Sequence, residues 1–103
     1  MAEIIWTGSA IHDLNEIAEY IALSNPAAAK ELVQNLVAKV ERLEQFPKSG
    51  KLSAEIPEFN YREVIASPCR VFYRLDQTSV YVVNVCREER DLRKFLIDKS
   101  SLG

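Results

Sequence analysis

One histidine, two cysteines and three glycines are all that this 103-residue chain has of those residue types. Each scarcity closes a class of chemistry. Cys69 and Cys86 are too few for a disulfide framework, and both read as reduced, half-buried strand residues. With His12 as the lone histidine and no CxxC pair, a zinc site lacks ligands. No Ser–His–Asp arrangement, glycine-rich phosphate loop or Walker motif occurs, so no cofactor is implied. No run approaches the roughly 20 apolar residues of a membrane helix. The opening "MAEIIWTGSA" lacks a basic region followed by an apolar one. The expectation is a cytoplasmic protein with no membrane partner. A net charge of −2 argues against generic nucleic-acid binding.

What is present is ordinary in bulk and uneven in distribution. Hydrophobic residues make up 48% and charged residues 27%, the balance of a globular protein. The length fits a single domain spanning residues 1–103. Residues 1–61 carry five Lys/Arg against nine Asp/Glu, whereas residues 62–94 carry seven against five. Of the arginines only Arg42 precedes residue 60. A locally basic surface can hold an acidic partner even on an acidic protein.

Periodicity predicts an α+β domain in the order βααβββ. "AEIIW" reads as a short strand. Ser9 is a candidate N-cap for a helix over 10–23, in which Ile11, Leu14, Ile17, Ala18 and Ile21 recur at helical spacing. Asp13, Glu16 and Glu19 fill its other faces. Asn25 caps and Pro26 opens a second helix over 26–45, striped by Leu32, Val33, Leu36, Val37, Val40 and Leu43. The short connection folds the two into a hairpin. Residues 47–60 read as a loop. "YREVIAS", "CRVFYRL" and "VYVVNVC" then form a three-stranded antiparallel meander. Leu92, Phe95 and Leu96 anchor a short C-terminal helix or turn.

In the middle strand Cys69, Val71, Tyr73 and Leu75 point one way and Arg70, Phe72 and Arg74 the other. One face takes the helical hairpin, and the other is expected to stay open. A simple hairpin at 76–79 sets Leu75 opposite Val80, Arg74 opposite Tyr81, Phe72 opposite Val83, Arg70 opposite Val85 and Cys69 opposite Cys86. Arg74 beside Tyr81 allows a cation–π contact. Such a surface mixes guanidinium with aromatic groups, as binding patches do. It also fits an ordinary exposed face whose arginine stems cover apolar surface. After the last strand, Arg87 and Arg90 of "REER" can hold a carboxylate or phosphate, or be neutralised by Glu88 and Glu89. Glu55 and Glu58 are loop carboxylates in no environment that suggests acid–base work, and His12 reads as a partly buried structural residue.

The order and spacing of these pieces resemble the ParE/RelE toxin superfamily of type II toxin–antitoxin modules. The pieces are "DLNEIAEYI", the "NPAAA" helix restart, "FPKSG" at the exit of the second helix, "YREVIASPCRVFYRL" and "VYVVNVCREERDL". They span about residues 4–95. RelE-like members cut messenger RNA on the ribosome with a basic cluster and a tyrosine, which place charge at the developing anion. ParE-like members resemble them without that cluster and poison DNA gyrase.

Residue by residue the chain resembles ParE more. Arg62 and Arg70 match two basic RelE positions. Val64 stands at another, Glu88 at the arginine after the last strand, and Phe95 near the terminal tyrosine. No histidine is available as a general base. The resemblance thus implies a ParE-like, plasmid-stabilisation-type toxin without catalysis. It would bind DNA gyrase through Arg62, Arg70 and Arg74 on the open sheet face and through Arg87, Arg90 and Arg93 along a basic C-terminal edge. A ParD-like antitoxin, with an acidic disordered tail that folds on binding, would neutralise it. Sequence-specific nucleic-acid binding is not implied. The alternative is a RelE-like ribosome-dependent endoribonuclease using Arg62, Arg70 and Arg87 or Arg90. A toxin fold kept only as a binding module is a third reading.

Overall fold

A computed structural model describes residues 1–102. The expected order is present, with additions in the loop. Strand β1 (Glu3–Trp6) leads into helices α1 (Gly8–Ala22) and α2 (Pro26–Glu41). A 3₁₀ turn (Arg42–Glu44), a two-residue strand β2 (Lys51–Leu52) and a second 3₁₀ turn (Pro57–Phe59) follow. Strands β3 (Arg62–Ala66), β4 (Cys69–Asp76) and β5 (Ser79–Arg87) form the meander, and helix α3 (Leu92–Leu102) ends the described chain.

The α1 N-cap is Thr7, not Ser9. Thr7 Oγ1 accepts the Ala10 N–H at 3.2 Å and donates to the Val82 carbonyl at 2.8 Å, so one side chain starts the helix and extends the sheet. Ser9 is used elsewhere: its hydroxyl meets Lys99 Nζ of α3 at 2.6 Å. Asn25 caps α2 as expected, accepting the Ala28 N–H at 3.1 Å, with Pro26 in the first turn.

The sheet order is β1-β5-β4-β3-β2. β1 runs parallel to β5, and the other pairs are antiparallel. The tight turn at Gln77-Thr78 gives the predicted pairs Leu75–Val80 and Arg74–Tyr81, followed by Tyr73–Val82. Gln77 holds it with a φ of 57°. A bulge between Phe72 and Tyr73 then shifts the register by one residue. Phe72 faces Asn84 rather than Val83, Arg70 faces Cys86 rather than Val85, and Cys69 faces Arg87 rather than Cys86. The extra residue, Val83, is the one that periodicity cannot see.

Ala10, Leu14, Leu32, Leu36 and Val40 bury the helical hairpin against Ala66, Cys69, Val71, Val82 and Val85. Ile11, counted in the stripe, is 47% exposed. Leu43, Tyr73 and Val80 continue this layer towards one end.

The second sheet face is not open. Ile56 and Leu92 pack on Phe72 and Cys86, with Tyr61, Val83, Phe95 and Leu96 around them. Thus α3 and the 53–59 segment form a thin third layer. Full burial of an apolar side chain of this size contributes about 1.5–3 kcal/mol, so Leu92, with no exposure, is the main apolar anchor of α3. Both cysteines are fully buried and free, one in each layer, so they cannot pair with each other.

Candidate macromolecule-binding site

The bulge decides what Arg70 meets. Opposite Cys86 it projects into the α3-side layer and is only 9% exposed. Its Nη1 bonds to Glu55 Oε1 and, at 3.2 Å, to Glu63 Oε2. Its Nη2 bonds to the Arg90 carbonyl and, at 3.4 Å, to Glu55 Oε2. The guanidinium lies 5.0 Å from the Phe72 ring centroid, and Nε–H is buried without a hydrogen bond. Removing a guanidinium from water costs several kcal/mol, so such burial requires these acceptors.

Glu55 is the pivot of the group. Besides Arg70 it accepts the Leu92 N–H, at 2.7 Å, at the start of α3. The Arg70 bond lowers its pKa below the ordinary 4.5 and the Leu92 bond assists, against burial. Glu55 in turn raises the Arg70 pKa further, against burial. Burial pushes the neighbouring Cys86 thiol up to about 11, although Arg70 opposes it. Glu55 therefore does structural work at neutral pH and holds no proton to donate.

The other expected site residues divide between the two faces. Arg62 pairs with Tyr73 and so lies on the hairpin side, opposite to Arg70. Its Nη1 clips the loop before β2 through the Lys48 and Gly50 carbonyls at 3.1 and 2.8 Å. The expectation that Arg62, Arg70 and Arg74 share one open face is therefore wrong for Arg62, and Arg70 is covered. Arg74 is exposed on the α3 side, 4.3 Å from the Tyr81 ring centroid, the predicted stack.

Arg87 returns to the hairpin side, 5.8 Å from the Tyr20 ring centroid on α1. Arg90 pairs with Asp98 at 3.0 Å and Arg93 with Glu58 at 3.1 Å. Glu88 and Glu89 form no ion pair with Arg87 or Arg90 among the described residues. Arg62 and Arg87 are the two of these six arginines with no carboxylate within 4.0 Å among the described residues. Arg87 borders a 400 Å³ cleft between α1, the end of β5 and α3, with Ile17, Glu16 and Phe95 on its walls.

Residues outside the predicted set complete the frame. Asp13 is 4% exposed, not a surface residue. β1 stops at Trp6, opposite Val82. Beyond it Asp13 Oδ2 takes the Val85 N–H at 3.0 Å and Asn84 Nδ2 at 3.3 Å. Asp13 Oδ1 pairs with Lys99 of α3 at 2.7 Å. His12 is exposed, 3.4 Å from Glu16, and not partly buried as expected. No cluster of metal-ligating side chains exists among the described residues. No helix among them is long and apolar enough to cross a membrane.

The sequence of this chain and its βααβββ fold are matched by known proteins. The family described as ParE toxin of type II toxin–antitoxin system, parDE, matches residues 4–92. The chain belongs to the ParE toxin family. It is 29% identical over 86 residues to the protein named Toxin RelE2 of Caulobacter vibrioides, covering 82% of this chain and 93% of that one. A solved structure titled as a chromosomal ParDE toxin–antitoxin system from P. aeruginosa superposes with a TM-score of 0.75 at 24% identity. The match covers 86% of this chain and 98% of that one, and it supports the fold of this ParE-family toxin. Among the described residues the toxin's elements outside the family match are nearly confined to α3, which starts where that match ends.

Proposed function

We propose that this ParE-family toxin acts by binding, with DNA gyrase as its target, and that a cognate antitoxin with an acidic segment neutralises it. One observation carries the reading against a nuclease. Arg70, which aligns with a basic position of RelE-type sites, is clasped by Glu55, Glu63 and the Arg90 carbonyl beneath α3. A guanidinium so occupied has no free donor pair for a scissile phosphate. Two further guanidinium groups, the exposed Arg74 and the half-buried Arg87, lie beside tyrosines, a pairing suited to gripping another macromolecule.

A second reading is a RelE-like ribosome-dependent endoribonuclease. It draws on Arg87, which faces a cleft with no carboxylate partner, and on likeness to a relative named RelE2. The two are separated by inducing the toxin and assaying both targets. Gyrase poisoning brings the DNA-damage response, filamentation and loss of supercoiling by purified gyrase. Transcripts cut at ribosomal A-sites, with gyrase unaffected, would establish the nuclease. No toxicity from a folded, well-expressed chain would leave only a binding module.

A further inference from the structure

We infer that the cleft between α1, the end of β5 and α3 is a binding site for a free α-amino acid with a large apolar side chain. The inference does not rest on the gyrase reading, although Arg87 serves both. The cleft follows from the unequal length of two strands. β1 stops at Trp6, opposite Val82, while β5 runs on to Arg87. Beyond Trp6 the α1 side chain of Asp13 meets β5 directly, and Lys99 ties α3 to α1 through Asp13 at 2.7 Å and Ser9 at 2.6 Å. The space left between the two helices is 400 Å³, at the small end of the about 300–1,000 Å³ of small-molecule sites.

Its inner part is apolar. The buried Val85 and Cys86 lie at the base, and the half-buried Ile17 and Phe95 stand beside them. An aliphatic or aromatic group placed there leaves water on several sides at once, the main driving term for a small ligand.

The charges around the rim select the ligand's polar end. Asp13 is engaged by Lys99, Asn84 and the Val85 N–H. Glu16 lies 3.4 Å from His12, and Arg90 pairs with Asp98 at 3.0 Å. Arg87 and Glu89 remain. Both line the cleft and also the shallower depression that continues it past Tyr20. Neither is within 4.0 Å of the other, or of any opposite charge, among the described residues. Two opposite charges that share a rim without pairing leave room for a group that carries both. The head of an α-amino acid is such a group. Its carboxylate suits the guanidinium fork of Arg87, and its ammonium suits the Glu89 carboxylate. The side chain then points inward, past Ile17 to Val85 and Phe95. A simple carboxylic acid leaves Glu89 facing a like charge, and a simple amine does the same to Arg87. A polyanion meets three carboxylates, Asp13, Glu16 and Glu89.

The test titrates the full ¹⁵N-labelled chain at low salt with four probes. These are L-leucine, 4-methylpentanoate, which lacks its ammonium, 3-methylbutylamine, which lacks its carboxylate, and glycine, which lacks its side chain. The expected result is saturable shifts of the Ile17, Val85 and Arg87 amides with leucine. Each single-charge probe should bind at least about tenfold more weakly, having lost one charged hydrogen-bonding group, and glycine should not saturate. Glu89→Gln should weaken leucine about tenfold while 4-methylpentanoate binds as well as before or better. Arg87→Gln should weaken leucine and spare 3-methylbutylamine. This exchange of preference is one that a merely structural role would not produce. Leucine shifts that are absent or lie elsewhere would overturn the proposal. So would binding of 4-methylpentanoate or glycine as tight as that of leucine to the parent chain. The readout is ligand binding to the toxin alone, so the result stands apart from whether gyrase is the target.

Discussion

At the scale of single residues, Gly50 and Tyr73 meet more closely than any Cβ allows. A Cβ on Gly50 would sit 2.4 Å from Tyr73 Oη and 2.6 Å from its Cε1, against a ring with no exposure. Gly50→Ala must move the ring or the loop, and a loss of about 1–3 kcal/mol is expected in urea unfolding. Tyr73 Oη also donates to the Pro47 carbonyl at 2.8 Å. Tyr73→Phe strands that carbonyl and the Gly50 N–H, costing about 1–3 kcal/mol. The double variant should cost less than the sum, since both changes release one loop anchor. Glu55 gives a pH signature. Its folded pKa lies below the ordinary 4.5, so its contribution is full above that value and is lost as pH falls through it to the folded one. The urea midpoint should fall in acid, and Glu55→Gln should flatten that part of the profile. A glycine in "FPKSG" is visible as loop punctuation, but the ring that requires it is not. Asp13 was less legible still. Its helical position is polar-looking, and only the end of β1 at Trp6 creates the vacancy that its carboxylate fills.

At the scale of elements, α3 is a separate layer held by few contacts. Leu92, Phe95 and Leu96 supply its apolar side, and Glu55, Asp13 and Glu58 take its N-terminus, Lys99 and Arg93. Cys86 lies under this layer and Cys69 under the helical hairpin. Loosening α3 should therefore change one thiol and not the other. In Leu92→Ala/Glu55→Gln, iodoacetamide labelling of Cys86 at neutral pH should quicken about tenfold or more, as local opening replaces global opening. Cys69 should stay near its original rate. Peptide mass spectrometry reads both sites, and equal acceleration would point to general destabilisation. The helical hairpin and the meander were legible because their apolar periods run for many residues. β2, two residues long, and the bulge at Val83 leave no such period. The apolar anchors of α3 were visible, but not the face that they cover. That gap produced the mistaken open sheet.

At the scale of the whole molecule, the arginines fall into classes that burial separates and sequence does not. Arg70 and Arg62 hold the fold: one is enclosed by carboxylates and a carbonyl, and the other clips the loop after the 3₁₀ turn. Arg87 and Arg74 lie against tyrosines at the surface, towards opposite faces of the sheet. The family resemblance placed all of them in one functional set because a motif records position along the chain and not the side of the sheet. An alanine scan should split them. Arg70→Ala leaves Glu55 and Glu63 facing each other without their cation, and should cost about 3–5 kcal/mol of unfolding free energy. Arg87→Ala removes a half-buried side chain that makes no ion pair among the described residues, and should cost about 1 kcal/mol or less. Toxicity should follow the opposite rule if the action is binding. Arg87→Ala should weaken growth arrest at near-parental stability and unchanged expression, with Arg87→Glu weaker again. Arg70→Lys keeps the charge but offers fewer donors to the clasp, so it should lose stability while retaining toxicity at temperatures where it stays folded. Growth curves paired with thermal unfolding of the purified variants read both quantities. A stable Arg70→Lys protein that has lost all toxicity would return Arg70 to the functional surface and count against a purely structural clasp.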